Sequence, residues 1–293
     1  MDQVRKKLRA DDAHEKGITG RGVTVAVMDT GIVPHMDFDR RILKFADYTQ
    51  GRTRPYDDNG HGTHVAGIIA GSGKMGRGFY KGIAPECNLF VTKVLDRKGN
   101  GNTSHVLKAI DFIIENQKEY NIRVLNISVG MLPTADEAEK KNLIAAVEKA
   151  WNHGIVVVAA AGNNGPGKNS VTVPGQCKSI ITVGSIDDYA RHGRGLKDGY
   201  SGRGPTEACV VKPEILAPGT AIKSCSARGN GYETKSGTSM SAPVIAGAVA
   251  LLLQKYPDMT PAQVKLRLYE RTVRLAEAGE RGYWGVVYLN RLL

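Results

Sequence analysis

Three widely separated segments of this chain carry an acid, an imidazole and a hydroxyl in settings that suit acyl transfer. Val27-Met28-Asp29-Thr30-Gly31 puts a carboxylate at the end of an apolar run. Asn59-Gly60-His61-Gly62-Thr63-His64 puts an imidazole where a helix should open. Ser236-Gly237-Thr238-Ser239-Met240-Ser241-Ala242-Pro243 puts a hydroxyl at the start of another helix. A serine hydroxyl is a weak nucleophile until a base takes its proton, and that base needs a fixed tautomer and a counter-charge. Residue types alone leave choices open. His64 rivals His61 as the base, while Ser236 and Ser241 read as turn and cap residues beside Ser239. The His-x-x-His spacing could suggest a metal, but the Glu that a zincin helix requires is missing. A fourth segment, Ala161-Gly162-Asn163-Asn164-Gly165-Pro166, offers two carboxamides, either of which could complement a developing oxyanion.

The elements that must position these groups follow from the hydrophobic pattern. Apolar, β-branched runs alternate with helical patterns, which predicts an α/β fold, a doubly wound and mostly parallel sheet with helices on both faces. Strands are expected at Val23–Met28, Asn88–Leu95, Arg123–Val129, Ile155–Ala160 and Ser179–Gly184, and helices near His61, Ser104, Thr134, Ser239 and Thr260. In such sheets sites form beyond the carboxyl ends of the strands. Asp29, Ser128 to Gly130 and Asn163 should therefore converge on one edge, with His61 and Ser239 arriving on helix N-termini. The latter also bring unpaired N–H groups to the nucleophile. No repeat or linker interrupts the chain, so residues 1–293 read as one domain, with about 1–16 as an N-terminal extension.

Composition narrows the function further. Lys and Arg outnumber Asp and Glu by 40 to 29, a formal charge of +11, but the basic residues are scattered and aromatics make up only 6%. That disfavours a nucleic-acid partner and fits a solvated basic surface. The longest apolar runs, Gly154 to Ala161 and Ala242 to Leu253, are short for a bilayer, so no membrane partner is expected. Met1 to Lys16 carries charge throughout and no apolar signal-peptide stretch, which sets a cytoplasmic location as the expectation and secretion after processing as the alternative. Cys87, Cys177, Cys209 and Cys225 have no CxxC spacing and are expected as free thiols.

The Asp, His and Ser segments, in that order, resemble the subtilisin family of serine proteases (peptidase family S8), over about Ala13 to Tyr288. Ser201 to Thr206 and Lys212 to Gly219 look most like its intracellular, AprX-like branch. The resemblance implies a serine endopeptidase working through an acyl-enzyme, with Asp29, His61 and Ser239 as the triad. It assigns the oxyanion to Asn163 with the Ser239 N–H, and the substrate strand to Ser128, Val129 and Gly130. By the same resemblance Ala160, Ala161 and Gly162 wall the first specificity pocket, and Gly231 to Thr234 face them across the cleft. Peptides or proteins are the implied partners. A dedicated leader- or propeptide-processing protease shares this chemistry, and a non-catalytic regulatory subtilase is the alternative of another class. No cofactor is implied for catalysis. Secreted subtilisins hold a structural calcium through an early Asp, matched by Asp37, and a loop matched by Ser72 to Lys81. That loop has no carboxylate or amide here and three positive charges, and the N-terminus is expected to fall short of it, so the site is expected to be missing.

Overall fold

A computed structural model of the chain describes residues 1–130, 132, 136–189, 199–208, 211–274 and 283–293. The first half runs α1 (Asp2–Leu8), α2 (Ala10–Glu15), β1 (Thr24–Asp29), β2 (Ile42–Asp47), α3 (His61–Ala70), β3 (Asn88–Lys93), α4 (Thr103–Glu115), α5 (Gln117–Tyr120) and β4 (Ile122–Ile127). The second runs α6 (Glu137–Asn152), β5 (Val156–Ala160), β6 (Ile181–Ser185), β7 (Ile215–Ala217), β8 (Ile222–Cys225), β9 (Tyr232–Lys235), α7 (Thr238–Lys255), α8 (Pro261–Arg271), β10 (Gly285–Val286) and α9 (Leu289–Leu292). Eight strands form one sheet in the order β10-β7-β6-β5-β4-β1-β3-β2, every pairing parallel, and β8 and β9 form a separate antiparallel pair.

Why this sheet is doubly wound can be read along β1. All six of its residues are buried. Val25 and Val27 pack into the layer that holds α3 and α7, while Ala26 and Met28 pack into the layer that holds α4 and α6. Alternate side chains leave opposite faces of a strand, so a wholly apolar strand needs a helical layer on each side. The chain begins in the middle of the sheet and reverses direction around β1, which has β3 on one flank and β4 on the other. A crevice opens at such a switch point, beyond the carboxyl ends of β1, β4 and β5. Those three strands lead directly into Asp29, Ser128 and Asn163.

The two helices that enter the crevice are the most buried in the fold. Nine of the ten residues of α3 are buried, and α7 is enclosed over most of its length. By length and composition alone α7 could cross a membrane, but 83% of it is buried inside the protein, where it is the core helix of the sheet. Val244, in the second turn of α7, is fully buried there.

Departures from the sequence reading are local. The helix expected from Thr134 begins at Glu137, because Asp136 caps it by accepting from the Ala138 and Glu139 amides; Thr134 itself lies outside the described residues. α8 has the expected capping box between Thr260 and Gln263. Strands β2, β7, β8, β9 and β10 were not foreseen. Cys87, Cys177 and Cys225 are buried and free, and Cys209 lies outside the described residues.

The N-terminal segment departs most from expectation. Arg9 turns the chain in the left-handed region, so that α1 and α2 fold against each other and Val4, Leu8, Ala10 and Ala13 join the main core. The segment does reach the 72–81 loop. Arg5, only 6% exposed, donates from Nη1 to the carbonyls of Phe79 at 3.1 Å and Lys81 at 3.0 Å, and from Nε to Asp11 at 2.9 Å. Hydrogen bonds from a charged donor contribute about 1.5–3 kcal/mol. Arg5→Ala is expected to lower the unfolding free energy by about 1.5–3 kcal/mol, read by thermal or urea unfolding; an unchanged melting temperature would show that this clasp contributes nothing.

Candidate active site

Asp29 closes β1 and is fully buried. Its Oδ1 accepts from its neighbour's amide, Thr30 N, at 2.7 Å and lies 2.7 Å from His61 Nδ1. Its Oδ2 is buried with no hydrogen-bond partner. A carboxylate removed from water and given so few donors gains strongly from a nearby cation. His61, the first residue of α3, can supply one when it is protonated. Burial alone would lower the His61 pKa, but the charge and hydrogen bond of Asp29 outweigh it and hold the pKa above its ordinary value of 6.5. With Nδ1 facing a carboxylate, the proton of the neutral ring belongs on Nδ1, which leaves Nε2 as the basic nitrogen.

Glycines make this approach geometrically feasible. Gly31 has φ +120, and a side chain there would bring its Cβ within 2.1 Å of the Tyr56 carbonyl. A Cβ on Gly62 would lie 2.2 Å from Gly31 O. The strand end and the first turn of α3 are therefore in backbone contact, closer than any larger residue allows.

His64 sits one turn further along the helix and is fully buried. Its Nε2 lies 3.0 Å from Ile222 O and 3.2 Å from Glu233 O, so the ring proton belongs there. Burial pushes its pKa down to about 3. It is a neutral packing residue that ties α3 to the β8–β9 pair.

Ser239 lies in the first turn of α7. Its hydroxyl donates to the Ser128 carbonyl at 2.8 Å, which joins the helix to the segment that leaves β4. Asn163 docks on the same turn: its Oδ1 accepts from Thr238 N at 3.0 Å and from Thr238 Oγ1 at 3.1 Å. The bond from Thr238 N requires the oxygen on that side, so the amide Nδ2 points the other way. Gly237, at φ +141, permits the fit, since a Cβ there would meet Asn163 Nδ2 at 3.2 Å. Gly162 N donates to Thr238 Oγ1, so the loop after β5 is fixed to α7 at two points. Asn163 and Asn164, the rival amide, are both exposed.

Ser128, Val129 and Gly130 continue from β4, with Ser128 buried and Gly130 exposed. Ala160 and Ala161 are buried and Gly162 is partly so. Thr172 stands between these two segments. A Cβ on Gly130 would lie 2.8 Å from Thr172 Oγ1, and one on Gly162 would lie 2.5 Å from Thr172 Cγ2. Thr172 thus packs against both segments, a contact the sequence did not disclose. Tyr232 to Thr234 lie in β9.

Two further buried charges surround the constellation, and the sequence reading missed both. Lys93, at the end of β3 and paired in register with Asp29, donates from Nζ to Thr30 O at 2.6 Å, Leu95 O at 2.7 Å and Asp58 Oδ1 at 2.8 Å. Asp57 accepts five hydrogen bonds just ahead of α3. The signal for Asp57 was present: acidic residues directly before a helix start favour its N-terminus.

Among the described residues one group, His35, Asp37 and Cys225, has metal-ligand chemistry at close range. Its atoms are already committed. His35 Nδ1 faces Asp37 N and Nε2 faces Gly231 O, while Asp37 accepts from Met75 N and from the Tyr232 hydroxyl. Burial pushes the Cys225 thiol far above its usual range, away from the thiolate a metal needs.

Comparison with known proteins identifies relatives of this chain and of its fold. A family model described as the subtilase family matches residues 20–285. Serine protease AprX of Bacillus subtilis (strain 168) is 43% identical over 286 residues, 90% of this chain and 65% of that protein's length. Subtilisin DY of Bacillus licheniformis is 34% identical over 290 residues, covering 97% of this chain and 94% of the relative. Among solved structures, a cold adapted subtilisin-like serine proteinase superposes with a TM-score of 0.71 at 32% identity, over 92% of this chain and 88% of the other. Sphericase superposes with a TM-score of 0.74 at 29% identity, over 87% of this chain and 84% of the other.

Proposed function

The chain belongs to the subtilase family, and from that premise we propose that it is a serine endopeptidase in which Ser239 attacks the peptide carbonyl, His61 moves the protons and Asp29 orients His61. The observation that carries this reading is the 2.7 Å contact between His61 Nδ1 and the buried Asp29 carboxylate. It fixes the tautomer a base needs and lies at the same sheet edge as Ser128 and Asn163.

In this reading the Ser239 hydroxyl proton passes to His61 Nε2 as the bond from Oγ to the carbonyl carbon forms. The carbonyl electron pair moves onto oxygen, where the Asn163 Nδ2 and the Ser239 N–H donate to it. Collapse expels the amine, which takes the proton from His61 and leaves an acyl-enzyme. Water then repeats the sequence, giving its proton to His61 and releasing the acid and the free hydroxyl. The resting hydroxyl is bonded to Ser128 O, so a turn about its Cα–Cβ bond precedes attack. A substrate strand laid along Ser128 to Gly130 offers its own N–H to that carbonyl and displaces the hydroxyl. The second reading, a processing protease of narrow specificity, uses the same steps.

A fluorophosphonate probe is expected to label the protein, with Ser239 Oγ displacing fluoride, and Ser239→Ala is expected to abolish labelling and cut kcat by about 10⁶, the figure known for subtilisin. Intact, folded protein that resists labelling would sink the assignment. Asn163→Ala is expected to lower kcat by about 10²–10³ with KM little changed, again a magnitude carried over from subtilisin. A change confined to KM would place Asn163 outside the oxyanion contact.

The structural calcium of secreted subtilisins does not fit these residues. The carbonyls of Phe79 and Lys81 already accept from Arg5, a cation built into the chain. Asp37 spends Oδ1 on Met75 N and Oδ2 on the Tyr232 hydroxyl. Chelation with EGTA is expected to leave the melting temperature unchanged; a fall of several degrees, reversed by calcium, would contradict this.

A further inference from the structure

The loop between β2 and α3 carries a second buried carboxylate, Asp57, whose hydrogen bonds reach both the residue after Asp29 and the residues flanking His61. Asp57 is 8% exposed. Its Oδ1 accepts from the Thr30 hydroxyl at 2.8 Å, Gly60 N at 2.8 Å and Asn59 N at 3.2 Å. Its Oδ2 accepts from Thr63 N at 2.9 Å and the Thr63 hydroxyl at 2.7 Å. These donors belong to two different elements. Thr30 follows Asp29 directly at the end of β1, whereas Gly60 and Thr63 flank His61 at the start of α3.

Thr30 completes a relay between them. Its hydroxyl donates to Asp57 and accepts from Gly62 N at 2.9 Å, so its orientation is set at both ends. The backbone repeats the link, with a bridge between Gly31 and Asp57 and a bond from Ile32 N to Tyr56 O at 3.1 Å. Lys93 holds Thr30 from behind through its carbonyl. A helix N-terminus alone prefers negative charge, but capping would need one or two donors from α3 and none from β1. Bonding across both elements fixes the one distance the site depends on, from Asp29 to His61.

We propose that Asp57 is a positioning residue for His61: it locks the first turn of α3 against the end of β1, and its charge supports the imidazolium formed during catalysis. Five donors let it keep that charge. Burial alone would raise its pKa, but the hydrogen bonds from Gly60 and Thr63 hold it below the usual carboxylate range. Among the described residues, the charged and titratable groups facing His61 are Asp29 from β1, Asp57 from the loop, His64 from its own helix, and Lys235 from β9 with its ion-pair partner Glu233. His64 is neutral at working pH. Asp29 and Asp57 act to raise the His61 pKa and Lys235 acts to lower it.

The inference rests on His61 being the base, and the two can fail separately. If His61 is not the base, the wild-type protein resists fluorophosphonate; if only Asp57 is misread, labelling is normal and the variants below match wild type. Asp57→Asn keeps the size and removes the charge. It is expected to lower kcat by about 10–10²-fold with KM within about twofold, as misplacement of a catalytic group does. The acid limb of kcat/KM is expected to move to lower pH, because a carboxylate that favoured the imidazolium is gone. Thr30→Val, which breaks the relay but keeps both charges, is expected to lower kcat and leave the limb in place, and Thr30→Ser is expected to restore kcat. The proposal is overturned if Asp57→Asn leaves the acid limb unmoved, whether or not stability falls, since that marks a merely structural residue. Should Asp57→Asn not fold, wild-type kcat in Thr30→Val overturns it equally.

Discussion

A carboxylate with almost no water and few donors, at the end of the central strand, is the constraint around which the crevice is built. Asp29 is fully buried, and one of its oxygens has no hydrogen-bond partner. Such a group is costly to hold unless a positive charge stands close by. His61 stands 2.7 Å away and is the group that can supply that charge. The need is transient in the chemistry and permanent in the structure: each protonation of His61 relieves the desolvation of Asp29. Burial of Asp29 follows in turn from the sheet, since β1 lies between β3 and β4 with helical layers on both faces.

Everything else at the site works by bringing two helix N-termini to this strand end. α3 and α7 are both buried along most of their length, so their first turns cannot shift independently of the core. α3 is tied to β1 through Asp57 and Thr30, and to the β8–β9 pair through His64. α7 is tied to β4 through Ser239 and Ser128, and to the loop after β5 through Thr238, Gly162 and Asn163. Small residues at Gly31, Gly62 and Gly237 allow these contacts at backbone distance. The basic N-terminal segment belongs to the same scheme, because Arg5 closes the loop that follows α3.

Much of this was legible before any coordinates. Strands with near-continuous apolar runs, such as the one ending at Asp29, declare both their type and their burial, and their ends locate the crevice. The Thr260 capping box is written in a local pattern and was read correctly. Short strands carry too few residues for a period to show, which hid the β8–β9 pair and the two-residue β10. The helix before Leu143 misled because Thr134 and Asp136 are both able to cap, and only the backbone decides between them. Lys93, Thr172 and Arg5 were hidden for a different reason. Each is an ordinary residue in sequence, and its meaning comes from partners tens of residues away. The charged N-terminal stretch read as an extension because its apolar positions, Val4, Leu8, Ala10 and Ala13, are spread thinly among charges.

The central claim is that buried Asp29 governs the protonation of His61. The most direct measurement is an NMR titration of the His61 ring, by its nitrogen-15 shifts, in the Ser239→Ala protein with and without Asp29→Asn. With Asp29 present the ring is expected to titrate above pH 6.5 with the neutral-state proton on Nδ1, and without it the pKa is expected to fall below that value. An identical pKa in the two proteins, or a neutral ring carrying its proton on Nε2 beside Asp29, would contradict the account.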